Sequence, residues 1–461
     1  MQYLLIDFGS TFTKLTAVDL AHEEVMAAAK SPSTVGTDIT IGYNLALAEL
    51  EHKLSGIPHR FEEKLACSSA AGGLKIIASG LVPELTAEAA KRAALGAGAR
   101  ILNTYSFELA QEEIKEIREA TPDIILLAGG TDGGNKDCIL GNARTIAEEL
   151  PDIPVIVAGN KKALTQIEEI FLAKGVFYRT SANVMPRLNV LNVEPVRETI
   201  KQLFIERIIE AKGMKKVESF IGNVLMPTPA AVLQAAQLLA DGTDRENGLG
   251  EVMLIDIGGA TTDVHTISNP DITAPGATRR GLPEPYAKRT VEGDLGMRVS
   301  ARALWEVAGS KRINKFIPVI AYDAEERCSF LANHVTTIGG SPAEREFDQA
   351  LGCTAAELAV ERHAGVLTSQ YTPTGIIYIQ EGKNLQDIKR VIGTGGVLIH
   401  STNPRRILQT VLMDEESGGY LKPVASELLL DQEYILSAMG LLAVKHPDKA
   451  LRMMKKYLKK V

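Results

Sequence analysis

Three glycine-bearing stretches hold the residues of this chain best suited to chemistry. The first is Tyr3-Leu4-Leu5-Ile6-Asp7-Phe8-Gly9-Ser10-Thr11-Phe12-Thr13-Lys14-Leu15. The second is Leu254-Ile255-Asp256-Ile257-Gly258-Gly259-Ala260-Thr261-Thr262-Asp263-Val264. In each, an apolar run ends in a carboxylate, a glycine turn with hydroxyls follows, and apolar residues resume. The third, Val391-Ile392-Gly393-Thr394-Gly395-Gly396-Val397, also closes a short apolar run. Glycine turns the chain sharply and lets a ligand approach the backbone. Successive N–H groups in such a turn can converge on phosphate oxygens. Ser10, Thr11, Thr261 and Thr262 add hydroxyl donors. Lys14 adds positive charge, unless it lies on the solvent face of its strand. Asp7 and Asp256 place carboxylates beside these donors, which repels a phosphate unless a cation intervenes. Mg2+, a hard ion held through water by one or two carboxylates, resolves that conflict. Asp256 or Asp263 could serve as a base beside the terminal phosphate. The dinucleotide fingerprint does not fit the third stretch, and no Gly-Lys-Ser or Gly-Lys-Thr marks a P-loop.

The elements that must position these residues follow from the pattern. Each of the first two stretches reads as strand, tight turn, strand. Their wide separation makes them an internal duplication, not a short repeat. At 461 residues the chain is too long for one core and suits two large domains. Its 45% hydrophobic and 23% charged content is that of a globular protein. A net charge of -7 argues against nucleic-acid binding, and 5% aromatic residues remove any base-stacking platform. No segment has the length and purity of a membrane span. The N-terminus opens on a strand ending in Asp7, so no signal peptide is expected. Cys67, Cys138, Cys328 and Cys353 lack metal or redox spacing, which fits a reducing cytoplasm.

In chain order, residues 3 to 30 read as three strands and Ile39 to Lys53 as a helix. Leu65 to Gly73 ends a strand in small and hydroxyl residues, and Leu74 to Ala78 is another strand. Helices are expected over Thr86 to Gly96, with Thr86 as cap, and over Ser106 to Ala120. The strand Asp123 to Ala128 stops at Gly129-Gly130-Thr131-Asp132-Gly133-Gly134. That loop either faces a ligand or partner, or serves close packing. A helix at 141–150, a strand at 155–159 and a helix at Lys161 to Lys174 continue an alternation that demands a mostly parallel sheet. Glu198 to Lys212 and Thr228 to Asp241 are helices, the latter with Pro229 at its first position. Asp244 to Gly250 is a polar linker.

The second half opens on paired strands, 253–257 and 263–268. Residues 269–286, proline-bearing and holding Arg279 and Arg280, read as a surface excursion. In Thr290-Val291-Glu292-Gly293-Asp294-Leu295-Gly296, Glu292 and Asp294 either approach the ligand or cap a helix at 297–307. Residues 311–370 read as helical, broken at Pro342, Gly352 and Gly365. A strand at 375–379, the strand before Gly393 and a helix from Pro404 to Leu412 follow. Pro447 to Val461 reads as an amphipathic helix, with Leu451, Met454, Leu458 and Val461 on one side and lysines on the other. It could seat on the protein itself, on an acidic partner or on a membrane interface.

Taken together, the three stretches resemble the superfamily of actin, heat-shock chaperone and sugar-kinase ATPases. Ile6 to Thr11 matches its first phosphate motif, Ile255 to Asp263 its second, and Gly393 to Gly396 its adenosine motif, in the expected order. The resemblance implies an α/β fold of two duplicated ribonuclease H-like (actin-like ATPase) domains with a nucleotide cleft between them. Domain I would span 1–243 and domain II 251–440, with a helical insertion at 300–370 and a basic C-terminal helix at 441–461. It implies ATP or ADP with Mg2+. Asp7 and Asp256 would hold the metal, and with Asp263 form the catalytic set. Gly9, Ser10, Thr11, Lys14, Gly258, Gly259, Thr261 and Thr262 would hold phosphates, with Glu292 nearby. Gly393, Gly395 and Gly396 would lie against adenosine.

A narrower resemblance covers the whole chain. Leu4 to Lys14, Leu127 to Gly134 and Thr290 to Gly296 look like the MutL (GlmL) family of glutamate mutase accessory proteins, which is unrelated to the mismatch-repair protein of that name. This implies an ATPase that reactivates an adenosylcobalamin-dependent mutase, glutamate mutase first, by exchange of damaged cofactor. The Asp-x-His-x-x-Gly cobalamin signature is absent, so the cobalamin would belong to the partner subunits. The alternative is a sugar or carboxylate kinase of the same superfamily. A homodimer stays open, and neither nucleic acid nor membrane is expected as a partner.

Overall fold

The computed structural model describes residues 1–9, 11–34, 38–69, 74–211, 224–271, 273–373 and 375–461. Two compact units divide the chain, Met1–Val232 and Leu233–Val461. The first contains β1 (Gln2–Phe8), β2 (Phe12–Asp19), β3 (Glu24–Pro32), β4 (Phe61–Ser68), β5 (Lys75–Gly80), β6 (Arg100–Ser106), β7 (Ile124–Leu127), β8 (Val155–Val157), β9 (Tyr178–Thr180) and β10 (Val224–Pro227). They form two sheets. The first has the order β10-β4-β1-β2-β3. β1, β2 and β3 are antiparallel neighbours, while β4 and β10 run parallel to β1. Leu4, Leu5 and Ile6 are all buried, as a central strand covered on both faces requires.

Between β4 and β10 lies a second sheet, order β6-β5-β7-β8-β9, with every pairing parallel. The expected alternation of strand and helix is realised here, in a separate sheet of doubly wound strand order. Helices Glu88–Gly96, Gln111–Ala120, Asp137–Glu149 and Leu164–Lys174 connect its strands. Ile114, Ile117, Ile139, Ile146, Ile167 and Phe171 pack against its apolar strands.

Several local expectations change. Thr86 does not cap a helix from outside; its hydroxyl accepts from Leu81 N and Val82 N, and Pro83–Ala87 winds as a wide turn before the helix begins at Glu88. The helix expected from Ser106 starts at Gln111, because Arg100–Ser106 is drawn into the sheet as its edge strand. The small-residue run at 70–73 and the end of the helix Glu194–Ala211 expected at Lys212 lie outside the described residues.

The second unit contains β11 (Val252–Ile257), β12 (Thr262–Ile267), β13 (Ala277–Arg280), β14 (Ala287–Glu292), β15 (Val366–Thr372), β16 (Gly375–Glu381), β17 (Arg390–Thr394), β18 (Glu427–Asp431) and β19 (Leu458–Lys460). Its main sheet runs β14-β12-β11-β17-β18-β19. The first three in chain order are again antiparallel neighbours, and the next two again run parallel to the first. Strand for strand this repeats β10-β4-β1-β2-β3, so each unit holds one copy of a ribonuclease H-like sheet. The duplication read from two short stretches therefore extends to whole sheets.

Residues 269–286 are not only an excursion: β13 pairs with β16 beside β15 in a small third sheet. Arg279 is tied to Asp271 and Arg280 to Glu381. The expected helical run ends earlier, at His363, and Gly352 does not break it. Pro342–His363 is one helix, capped by Ser341 and Glu344, and Gly352 lies against Ile407 and Val397. The C-terminal helix stops at Tyr457, because Leu458–Lys460 pairs with β18. Of the seats open to this tail, it occupies its own unit: Leu451 and Met454 are buried, and Lys455 pairs with Glu246. All four cysteines are buried and free. Among the described residues no helix is long and apolar enough to cross a membrane.

His265 on β12 and His363 are buried in this unit. The His363 ring sits between the hydroxyls of Thr266 (2.9 Å) and Thr290 (2.8 Å). Burial above all pushes both imidazoles well below the usual 6.5, with Arg289 adding to the effect at His265 and Lys288 at His363. The unfolded chain therefore takes up protons below pH 6.5 that the folded chain refuses. Stability is fully present above that pH and should fall by about 1.4 kcal/mol per pH unit for each histidine below it. Urea midpoints measured from pH 7.5 down to 5 should drop, and less steeply in His363→Gln; a midpoint indifferent to pH would contradict this.

Candidate functional site

The two hairpins that carry the candidate residues are built alike. In the first unit Gly9 N donates to Phe12 O at 3.0 Å; in the second, Gly258 N donates to Thr261 O at 2.9 Å. A β-carbon at Gly9 would come within 2.6 Å of Phe12 O, so the turn admits only glycine there. Asp7 stands opposite Lys14 on the neighbouring strand, and Asp256 opposite Asp263. Corresponding positions thus differ in sign.

That difference sets the electrostatics. Asp7 is buried at 4% exposure. Its carboxylate lies 3.4 Å from Lys14 Nζ and accepts from Thr228 Oγ1 at 2.6 Å, with Cys67 Sγ 3.7 Å away. Lys14 therefore points at the carboxylate, and its side chain is only 19% exposed. Cys67 is pushed well up by burial and by Asp7, which keeps it a neutral thiol. Thr11 is exposed in its turn, and its carbonyl accepts from Ser33 N. Ser10 lies outside the described residues.

In the second unit Asp263 is held by Arg289, whose Nη2 lies 2.6 Å from Oδ1, and accepts from Thr261 Oγ1 at 3.0 Å. Thr262 is buried and donates to Leu295 O at 2.7 Å, so its hydroxyl faces the protein. The turn itself is strapped by residues 293–300. Met297 N donates to Gly258 O, Arg298 N to Gly259 O, and Ser300 Oγ to Ala260 O, at 3.0, 2.8 and 2.8 Å. A trans peptide points its C=O and N–H in opposite directions. With three carbonyls drawn to the strap, the N–H groups of Gly259, Ala260 and Thr261 face away from it. That is the arrangement an anion needs.

The third motif joins the second. β17 pairs with β11, setting Thr394 beside Asp256. Gly395 has φ +100°, and a β-carbon there would overlap Ile257 O and stand 2.6 Å from Asp256 Oδ1. Gly393 is pressed by Leu398 and Leu408, whereas Gly396 opens onto free space. Thr394 Oγ1 donates to buried Asp431 at 3.0 Å. Glu292 ends β14 opposite Thr262, and both it and Asp294 are bound by Arg362, at 2.6 and 2.7 Å. Neither carboxylate starts a helix, which begins at Ala301.

The Gly129–Gly134 loop lies elsewhere, at the carboxyl end of β7 in the second sheet. Asn160 accepts from Gly133 N and donates to Gly134 O and Asn135 O, and Asn183 donates to Gly130 O and Asp132. Gly130 has φ +70°, and a β-carbon there would overlap Asn135 O, so the turn requires glycine at that position.

The residues that sequence reasoning missed all reach the site from a distance: Thr228 and Cys67 on Asp7, Arg289 on Asp263, Arg298 and Ser300 on the turn. Only Thr228 left a trace, as the hydroxyl before Pro229 at a helix start. Among the described residues no group of three or more His, Cys, Asp or Glu is placed to hold a metal. A Mg2+ ion needs fewer, since it keeps water and takes phosphate oxygens with one or two carboxylates. Asp256, on the strand that leads into the turn, fits that role.

The family profile described as "MutL protein" matches residues 3–458. The chain belongs to the MutL family. It is 56% identical over 459 residues to Protein MutL of Clostridium tetanomorphum, covering 100% of this chain and 99% of that protein. Among solved structures, nucleotide-free acetone carboxylase aligns at TM-score 0.39 and 15% identity, over 96% of this chain and 70% of that one. Glycerol dehydratase reactivase aligns at TM-score 0.35 and 9% identity, over 96% and 99%. The strand order of this chain itself, not these remote likenesses, carries the fold.

Proposed function

We propose that this MutL-family chain is an ATP-binding, ATP-hydrolysing accessory protein that reactivates an adenosylcobalamin-dependent mutase, glutamate mutase first. The observation that carries the nucleotide is the Gly258–Thr261 turn, where the carbonyls of Gly258, Gly259 and Ala260 are drawn to the strap and the amides of Gly259, Ala260 and Thr261 face away from it, just after the strand that carries Asp256. Those amides would take phosphate oxygens, and the close approach at Gly395 would bring the adenosine motif against the same carboxylate. Mg2+ would neutralise the phosphates against Asp256, with Asp7 the corresponding carboxylate of the first unit. Asp263, fixed by Arg289, holds the Thr261 hydroxyl at the turn. The partner is proposed from the resemblance of the sequence to mutase accessory proteins. A protein that binds the open form of a mutase more tightly than the closed form shifts that equilibrium by its differential affinity. Nucleotide would then set which form is bound.

The test is recovery of inactivated glutamate mutase supplied with fresh adenosylcobalamin, with and without this protein and Mg2+-ATP. Recovery should require both, and Asp256→Ala should abolish it in a folded protein. Equal recovery without the protein would overturn the accessory role. ADP production from a sugar or short carboxylic acid with no second protein present would make the chain a kinase instead.

A further inference from the structure

The geometry points to Arg298 as a positioning residue that ties the phosphate-binding turn to the segment between the helices Ala324–Asn333 and Pro342–His363. This rests on the nucleotide reading above and extends it to a site outside the turn. Arg298 touches both ends of the link. Its backbone N donates to Gly259 O at 2.8 Å, and its side chain packs where a β-carbon on Gly259 would stand, at 3.6 Å. The guanidinium then reaches outward, with Nε donating to Thr337 O at 3.0 Å and Nη2 to Asp348 Oδ2 at 2.8 Å. Both partners of that ion pair are largely buried, at 16% and 20% side-chain exposure, so the pair is shielded from solvent screening.

The strap has no slack with which to absorb a shift of the turn. Gly296 lies so close to Ala260 that a β-carbon would come within 2.6 Å of its Cα and O. Ser300 Oγ lies 2.8 Å from both Ala260 O and Gly293 O, and its one proton can serve either. A phosphate pulling on the turn amides must therefore move the strap, and with it the arginine. A planar fork bonded to a carbonyl and a carboxylate at once transmits that displacement with direction, which a lysine ammonium does not. The receiving segment is built to register it. Thr337 N is bonded to His334 O, and Gly340 N and Ser341 N to Glu344, while Val335 and Ile338 are exposed at 45% and 85%.

Hydrogen exchange on the full chain reads the link directly. Saturating Mg2+-ADP should slow exchange of the Thr337, Gly340 and Ser341 amides about tenfold in the wild type. In Arg298→Ala these amides should exchange fast with or without nucleotide, and Arg298→Lys should recover only part of the response. Arg298→Ala should also weaken ADP about tenfold while leaving adenosine, which has no phosphates, unchanged; a merely structural role would weaken both alike. A nucleotide-independent arm keeps the link separate from the function above. Gly296→Ala, which displaces the turn, should speed exchange at 337–341 in the nucleotide-free protein, and in an Arg298→Ala background it should speed it no further. Failure of ADP to bind the wild type would sink the nucleotide reading, with this arm still deciding the link. An unmoved 337–341 segment in Gly296→Ala, or an intact nucleotide response in Arg298→Ala, would overturn the proposal.

Discussion

Asp256→Ala is expected to weaken Mg2+-ADP binding about 100-fold, or about 2.7 kcal/mol, while Asp7→Ala weakens it only about tenfold, or about 1.4 kcal/mol. The reason is the sign difference between the two hairpins. Asp256 stands opposite a second carboxylate, Asp263, whose charge is already matched by Arg289. Removing Asp256 takes away the group that would carry the metal, and nothing on the neighbouring strand replaces it. Asp7 stands opposite Lys14. Its removal takes a negative charge from beside Lys14 and leaves the hairpin more positive toward a phosphate, which offsets part of the loss. Calorimetry with and without EDTA separates the cases. Wild type and Asp7→Ala should lose affinity when Mg2+ is chelated, and Asp256→Ala should be nearly indifferent to it. Equal losses in the two variants would remove the electrostatic account. Full binding by Asp256→Ala would remove the site.

Gly395→Ala should damage both the fold of the second unit and its candidate site. The backbone there sits at φ +100°, where an L side chain is strained by 1 kcal/mol or more on general grounds, roughly. The new carbon would also overlap Ile257 O and crowd Asp256. The strand pair β11–β17 must part to relieve this, so we expect a stability loss of about 3 kcal/mol together with loss of nucleotide binding. Gly396→Ala, whose added carbon meets open space, is the control and should fold as the wild type does. Denaturant midpoints for the two variants decide the matter: similar values would show that β17 does not press on Asp256.

Much of this was legible because its signals are local. An apolar run, a carboxylate and a glycine turn within a dozen residues mark each hairpin, and the repeat of that order revealed the duplication. Lys14 was ambiguous for a physical reason. Alternation tells which residues share a face, not whether another strand's carboxylate waits there. The illegible parts depend on residues far away in sequence. Arg100–Ser106 mixes polar and apolar residues without a period because it is an edge strand, half covered. Leu458–Lys460 continues a helical pattern, yet pairing with β18 captures it. Arg298 and Ser300 act through backbone carbonyls, which have no sequence signature. Thr228 reaches Asp7 across 221 positions of sequence.

That last separation bears on the order in which the chain can assemble. β4 and β10 are adjacent, parallel strands, with Cys67 beside Met226, yet the whole doubly wound sheet is threaded between them. Synthesis delivers β1 to β4 first, then the inserted sheet, and only then the strand that completes the row. An unstructured loop of this length would be slow to close. The insert, with its own core, can fold while the ribosome is still working and bring β10 to its place as a compact unit. Thr228, the first residue after that strand, arrives with it. The acid group of the first hairpin thus acquires its threonine partner as the closing event of folding in this half, so a chain halted before residue 228 would display the glycine turn without a finished carboxylate.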